Sequence, residues 1–349
     1  MKRVTQRARR SRVEGQIGLE EVASLANVSI ASVSRVLNGK TTVADDIRQR
    51  VEEACAKLGY LPNGAARALS TQRTKAIGAV VPSIENGGFA RVIAALQERL
   101  RIAGYNLILA GSGYEQRLEY EAAAALLSQG VDGLVLVGSQ HDERLMPLLE
   151  RRGIIFVETW ILGNERPCVG FDNALAARRV VKYLLDLGHV KISVITGRTS
   201  FNDRAAARVR GVEDELKAND LKLHSHLVVD QPYRIQDGRI ATRSLLETDN
   251  PPSAIVCGND QLAFGAIIES KFRGLSIPRD ISITGFNDAD YAPHLDPPLT
   301  TINVPSEEMG TRAAEYLIKK LNGEIAMAAW EVDVNLVVRG STGAPPSKR

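Results

Sequence analysis

The chain has 349 residues, enough for two or three domains with cores of ordinary size. With 24% charged and 44% hydrophobic residues it is neither a wholly disordered nor a collagen-like chain. The net charge of +3 hides a division: residues 1–75 hold 14 basic and 7 acidic side chains (+7), and the rest of the chain 30 and 34 (−4), so a small basic module of the kind that meets polyanions precedes a larger, mildly acidic body.

Residues 1–17 carry six basic groups, one acid and few apolar side chains, and read as a flexible basic arm. No run approaches the ~18 consecutive apolar residues of a membrane span, and the arm lacks the apolar stretch of a secretion signal. A cytoplasmic protein without a membrane partner is expected. Cys55, Cys168 and Cys257 are odd in number and far apart, without C-x-x-C spacing, and read as buried or incidental thiols rather than disulfides or zinc ligands.

From Leu19 the pattern becomes helical, with Leu19, Val22 and Leu25 three apart and Ala23 and Ala26 between them. Asn27 suits the left-handed residue that ends the helix, and the Ser29 hydroxyl can cap the next one. That second helix, Ile30 to Leu37, turns Val33, Val36 and Leu37 inward, leaves Ile30, Ala31, Ser32 and Arg35 on other faces, and stops at Gly39. A third, from about Ala44 to Leu58, buries Ile47, Val51, Ala54 and Leu58 and ends at Gly59. Two helices joined by a tight turn, the second exposing small polar groups and one arginine, form a helix-turn-helix pattern. A small helical bundle of another kind is the competing reading, and the +7 charge weighs against it.

The wording is more specific than the spacing. Val22-Ala-Ser-Leu-Ala-Asn-Val-Ser29, Val33-Ser-Arg-Val-Leu-Asn38, Lys57-Leu-Gly-Tyr-Leu-Pro-Asn63 and Ala66-Arg-Ala-Leu69 together resemble the headpiece of the lactose-repressor (LacI/GalR) family. The resemblance implies a DNA-binding headpiece over 18–60 and a hinge helix with linker over 61–75. Pro62 would open the hinge, small Ala65, Ala66 and Ala68 would let two hinges pack, and Leu69 would wedge into the minor groove. It further implies that Ile30, Ala31 and Ser32 read major-groove edges and that Ser29, Ser34, Arg35 and Asn38 hold bases or phosphates, with Leu19, Asn63, Ala66 and Arg67 completing the contact set. Arg35 is the strongest single candidate for guanine or phosphate. Ala44 departs from the family, which commonly has a capping serine there; Asp45 and Asp46 can compensate through the helix dipole.

Beyond Lys75 short β-rich runs alternate with helices. The runs are 77–82, 105–110, 133–137, 154–157, 191–195, 254–257 and 281–285; the helices are 89–103, 117–129, 174–187, 204–218, 236–246 and 261–272. Alternation of this kind means parallel sheets covered on both faces. The units up to Val157 suit one sheet and those from Lys191 a second, giving an α/β body over 76–342 of two Rossmann-like lobes with a ligand cleft at the strand carboxyl ends, followed by a flexible tail over 343–349. Gly170-Phe-Asp-Asn173, Leu187-Gly-His189, Asn259-Asp-Gln-Leu-Ala-Phe-Gly265, Gly285-Phe-Asn-Asp288, Pro298-Leu-Thr-Thr-Ile302 and Val338-Arg-Gly-Ser-Thr342 extend the resemblance to roughly 18–342. The fold it implies is an all-α helix-turn-helix headpiece plus hinge helix, then a periplasmic-binding-protein-like body.

The same resemblance implies a homodimeric repressor on a pseudo-palindromic double-stranded DNA operator, released by a small sugar or sugar-acid effector in the cleft. The effector set carried over is Ser83, Phe89, Glu158, Trp160, Arg204, Arg208, Tyr233, Asn259, Asp260 and Asn287. Five of them have a plainer reading: Ser83 and Phe89 as cap and core aromatic, the two arginines as surface groups, Asp260 as a helix cap. Asn287 stands where sugar repressors often have aspartate, which removes a negative charge. With two arginines present, a sugar acid is favoured over a neutral sugar. Val81-Pro-Ser-Ile-Glu-Asn86, Val157-Glu-Thr-Trp160, Val169-Gly-Phe-Asp-Asn173 and Asn202-Asp-Arg204 look most like the gluconate-repressor branch.

Two other classes compete. A periplasmic sugar-binding protein would need a signal peptide and no headpiece. An enzyme would need a phosphate loop or nucleophile motif, and neither G-x-G-x-x-G after the first strand, a P-loop nor G-x-S-x-G occurs. The five histidines have no companions at useful spacing, so no metal, cofactor or catalytic residue is expected; His224 and His226 alone alternate as a pair. The tail lacks heptads for a tetramerising zipper. A corepressor-dependent repressor or an activator of the same family stays open, because the sign of regulation depends on which hinge state the ligand prefers.

Overall fold

The computed structural model describes residues 17–37, 43–61, 73–85, 87–163 and 165–346, in two units that divide between Thr74 and Lys75. The expected contacts Asn38, Asn63, Ala66, Arg67 and Leu69, with most of the basic arm and of the hinge segment, lie outside the described residues.

The first unit is three helices, α1 (Leu19–Ala26), α2 (Ile30–Leu37) and α3 (Asp45–Leu58). Its core is Val22, Ala23, Ala26, Val33, Val36, Val51 and Ala54, with Leu19, Leu37, Ile47 and Leu58 packed partly against it. Leu25 departs from the expectation and is 43% exposed. At about 100° per residue it falls about 120° away from Leu19, off the stripe formed by Val22, Ala23 and Ala26. Asn27 ends α1 at φ 52° as expected. Ala44 gives α3 no side-chain cap, while Asp45 and Asp46 occupy its first turn.

The second unit holds two six-stranded sheets. The first contains β1 (Ala76–Val81), β2 (Asn106–Gly111), β3 (Gly133–Val137), β4 (Ile155–Thr159), β5 (Cys168–Gly170) and β11 (Ala329–Glu331). Their order is β11-β5-β4-β3-β1-β2, all parallel. The second contains β6 (Ile192–Thr196), β7 (Val228–Asp230), β8 (Ala254–Cys257), β9 (Ser282–Asn287), β10 (Thr300–Asn303) and β12 (Asn335–Val337), in the order β12-β10-β9-β8-β6-β7 with only β12 antiparallel. Helices α4 (Gly87–Ile102), α5 (Gln116–Ser128), α6 (Leu145–Arg152), α7 (Asn173–Asp186), α8 (Asp203–Ala218), α9 (Ile235–Leu246), α10 (Asp260–Phe272) and α11 (Ser306–Leu321) cover them.

The division at Lys191 therefore needs correction. The chain enters the second lobe after β5, where α7 packs on β8, β10 and β12; it returns after β10, where α11 packs on α4 and on β3 to β5, and crosses again between β11 and β12. Phe171, Val304, Val332 and Val334, in these three crossings, are buried in one continuous apolar cluster with the inner faces of both sheets. The start of the tail is also pinned rather than free: the Gly343 amide donates to Ser282 Oγ (3.0 Å) and its carbonyl accepts from buried His189 Nε2 (2.9 Å). Burial lowers the His189 pKa, so this ring is neutral at physiological pH and bonds as an uncharged group.

Candidate functional site

In the headpiece, Ser29 caps α2: its hydroxyl accepts from the Ser32 amide (3.1 Å) and lies 2.9 Å from the Ser32 hydroxyl. With Val33 and Val36 turned into the core, α2 presents exposed Ile30, Ala31 and Arg35 beside half-buried Ser32 and Ser34. These residues form one continuous surface of a rigid helix. Leu19 is not on it, because its side chain packs against the core.

In the body the strand carboxyl ends of both sheets face a cleft. Phe89, Trp160, Arg204, Arg208, Tyr233, Asn259 and Asn287, seven of the ten expected effector residues, line one small cavity of about 20 Å³. That is room for about one water. Outside it a cleft of about 900 Å³ is lined by Ser83, Arg117, Arg198, Gln231 and Arg234 among others, and Tyr114, Asn202 and Tyr233 line both spaces. The Tyr114 and Tyr233 rings, one from each lobe, lie 5.7 Å apart between them. A side-chain carbon at Gly197 would overlap the Tyr233 ring, so only glycine lets that ring lie against the end of β6.

The aromatic wall is built edge to face: Phe89 and Trp160 are 5.1 Å apart, and Trp160 and Phe171 are 6.3 Å apart. Trp160 Nε1 and Asn287 Oδ1 are buried without a hydrogen-bond partner, at positions where an unmet donor or acceptor costs about 1–3 kcal/mol. Tyr114, Trp160 and Asn287 also adopt positive φ (65°, 67° and 106°), conformations that non-glycine residues keep only where their surroundings enforce them. Strain and unmet polar atoms thus meet at one cavity.

Its two arginines differ. Arg204 Nη1 donates to Asp203 Oδ1 (2.6 Å) and to the Val137 carbonyl (3.2 Å), and is neutralised. Asp203 Oδ2 in turn accepts from the Ser139 amide (2.6 Å) and hydroxyl (2.8 Å), so these residues tie the lobes. A side-chain carbon at Gly138, φ 86°, would overlap Arg204 Nη1. Arg208 has only neutral acceptors: Nε donates to Asn173 Oδ1 (2.9 Å) and Nη1 to the Gly258 carbonyl (2.6 Å), and its guanidinium lies 3.6 Å from the Phe286 ring centroid. Burial pulls its pKa down to about 10, which leaves it charged at neutral pH.

Three expected residues stand elsewhere. Ser83 lines the outer cleft, its hydroxyl accepting from the Glu85 amide (3.1 Å). Asp260 is not on the cavity: Oδ1 accepts from Thr301 Oγ1 (2.6 Å) and Oδ2 from the Ala289 amide (2.7 Å), and burial raises its pKa to about 7. It is Asn259, not Asp260, that caps α10, accepting from the Leu262 amide (2.9 Å). Glu158 is 2% exposed and is taken by Arg166 Nε (2.5 Å) and His141 Nε2 (3.1 Å), while His141 Nδ1 is 3.0 Å from both carboxylate oxygens of Glu119. The carboxylate expected to meet effector hydroxyls instead stabilises a buried cation.

That corrects the reading of the histidines, since His141 has two carboxylate companions that lie 22 and 17 residues away in the chain. Tyr114 and Asn202 were missed as lining residues; an aromatic and an asparagine within strand-to-helix connections were the available signals. Among the described residues no group of three or more His, Cys, Asp or Glu is arranged to hold a metal ion, and no helix is long and apolar enough to cross a membrane.

Comparison with known proteins follows the same division. Residues 18–63 match the family described as bacterial regulatory proteins, lacI family, and residues 74–330 match that of periplasmic binding proteins and sugar binding domain of LacI family. The chain is similar to the ribose operon repressor of Haemophilus influenzae (33% identical, covering 87% of this chain and 91% of the relative). It is similar to the HTH-type transcriptional regulator GntR of Escherichia coli (32%, covering 88% and 92%). Among solved structures it resembles the lac repressor dimer bound to operator and the anti-inducer ONPF, with a TM-score of 0.83 at 26% identity over 94% of this chain and 100% of that one. It also resembles the transcription regulator GntR from Chromobacterium violaceum, with a TM-score of 0.73 at 29% identity over 76% and 99%.

Proposed function

The chain belongs to the LacI family of bacterial regulatory proteins and is a DNA-binding transcriptional regulator, and from that premise we propose that it is a homodimeric repressor whose operator is released by a sugar acid of the gluconate type. The observation that carries the effector class is Arg208, a buried guanidinium that makes no ion pair among the described residues, in a cavity that also offers the unmet polar atoms of Trp160 and Asn287. A carboxylate would supply the missing counter-charge through the fork geometry that guanidinium favours. Hydroxyl groups would meet Trp160 Nε1 and Asn287 Oδ1, and the Phe89–Trp160 wall would pack against the carbon chain. A relative named as a ribose operon repressor supports sugar-linked genes as targets.

On the DNA side the exposed face of α2 would enter the major groove, with Arg35 as its one cationic base or phosphate contact and Ile30 and Ala31 against thymine methyls. Two such faces in a dimer read two half-sites, as the operator-bound lac repressor dimer illustrates for that protein. Arg35→Ala is expected to weaken operator binding by about 10- to 100-fold, in line with ~1–3 kcal/mol for a good base contact, with gluconate affinity unchanged. Equal operator affinity in the variant would show that α2 reads DNA without it.

The deciding experiment is fluorescence anisotropy at fixed salt, on operator fragments selected from random palindromes, with gluconate, other aldonic acids and neutral sugars added in turn. Release by an acid is the expected result. Release by a neutral sugar alone would overturn the anionic reading, and tighter binding with an acid would reverse the sign of regulation.

A further inference from the structure

Arg91 lies on α4 of the first lobe, two residues beyond Phe89, and lines neither the small cavity nor the outer cleft. Its guanidinium reaches into the second lobe, where Nη2 donates to the Asn287 carbonyl (2.8 Å) and Nη1 to the Asp288 carbonyl (3.0 Å) and to Asp290 Oδ1 (3.0 Å). The Asp290 side chain is 91% exposed, so that ion pair adds little. The two carbonyl bonds are the substance of the contact.

The turn it holds is strained. Asn287 and Asp288 are consecutive non-glycine residues at φ 106° and 52°. Asp288 is anchored within its own lobe, by Arg339 Nη1 at 2.8 Å and by Asn303 Nδ2 at 3.1 Å. Asn287, by contrast, lines the small cavity with its Oδ1 unmet, and its carbonyl is gripped from the opposite lobe. On the other side of the cavity, Ser139 with Asp203 and Val137 with Arg204 tie the lobes a second time.

We propose that Arg91 is a positioning residue for the effector site: it clasps the lobes through the Asn287–Asp288 turn and holds Asn287 so that its side-chain oxygen is presented to the bound ligand. The cavity of about 20 Å³ adjoins the cleft of about 900 Å³ and has room for about one water, so a six-carbon acid that comes in from the cleft and reaches Asn287 shifts the lobes against each other there, and the clasp sets how far. Arg91 thereby biases the balance between open and closed lobes, and Asn287 transmits ligand contact to that balance. The inference rests on the reading of this cavity as the effector site, but the clasp itself is testable without any effector.

The ligand-free test is acrylamide quenching of Trp160 in the full chain, with Trp330→Phe leaving Trp160 as the single reporter. Arg91→Ala is expected to raise the quenching constant at least twofold, and Arg91→Lys, which keeps the charge but loses the fork, to raise it less. Unchanged quenching in both variants overturns the clasp, and the milder lysine variant keeps the test valid where alanine compromises folding. The second arm is calorimetric titration with gluconate, in which Arg91→Ala weakens binding by about tenfold, an effect that is smaller in an Asn287→Ala background, where only the backbone clasp remains. Additive losses overturn the route through Asn287. Failure of the unaltered chain to bind gluconate would sink the proposed effector class, and the quenching result would still decide the clasp.

Discussion

Arg208→Ala is expected to leave operator binding intact and to abolish release by gluconate at concentrations that saturate the unaltered protein. The side chain supplies the uncompensated positive charge of the cavity, whereas Arg204 is already spent on Asp203. Losing one partner of a buried, hydrogen-bonded charge pair costs about 2–5 kcal/mol or more, a fall in affinity of about 30- to 5,000-fold. The variant also leaves Asn173 Oδ1 and the Gly258 carbonyl without a donor, at a cost of about 1–3 kcal/mol each, offset in part because a desolvated charge disappears. Arg208→Lys keeps the charge without the fork and should fall between the two. Calorimetric titration with gluconate and operator anisotropy check both halves, and a variant that still releases operator would show that the anion is held elsewhere.

The second large effect is on stability. His141 is sealed between Glu119 on α5 and Glu158 on β4, and its side chain is 2% exposed. Desolvation alone would pull its pKa down, but hydrogen bonds and charge attraction from the two carboxylates outweigh it and raise the value from 6.5 to about 9. His141→Ala leaves Glu119 and Glu158 facing each other with Arg166 as the remaining cation, and should destabilise the body by about 3–5 kcal/mol in urea unfolding at neutral pH. A loss below about 1 kcal/mol would mean that the carboxylates find water instead.

The pH dependence has a definite sign. Below about pH 6.5 the imidazole is protonated in both folded and unfolded chains, so the full contribution is present. Between there and about pH 9 the unfolded chain gives up the proton while the folded one retains it, so the contribution declines, and it is lost as the pH rises through the folded value. Asp260, raised to about 7 by burial, also favours its protonated form but titrates lower. Stability lost above about pH 7.5 in the unaltered chain and not in His141→Ala therefore belongs to His141, and parallel curves would contradict the assignment.

Much of the headpiece was legible in the sequence because its decisive contacts are local. Asn27, Ser29 and the Val33–Val36 stripe act through hydrogen bonds and helix periodicity within a few residues, and the error at Leu25 came from a spacing of three followed past the point where it leaves the helical stripe. The longer runs of the body were legible for the same reason, as were the strand-end position of Trp160 and the place of Arg208 on the face of α8. Strands β5, β11 and β12, of three residues each, are too short for any period to register, so the three lobe crossings emerged only once the sheets were assembled.

Composition and motif determined the architecture and the residues offered to the cleft; tertiary structure decided which of them are free to act. Glu158 and Arg204 are claimed by His141, Arg166 and Asp203, partners that the fold brings from other elements or sets at a helix start, while Arg208 is buried among neutral acceptors. Sequence displays a side chain's charge, but whether that charge is already neutralised depends on desolvation and on groups a few ångströms away that enter from distant parts of the chain.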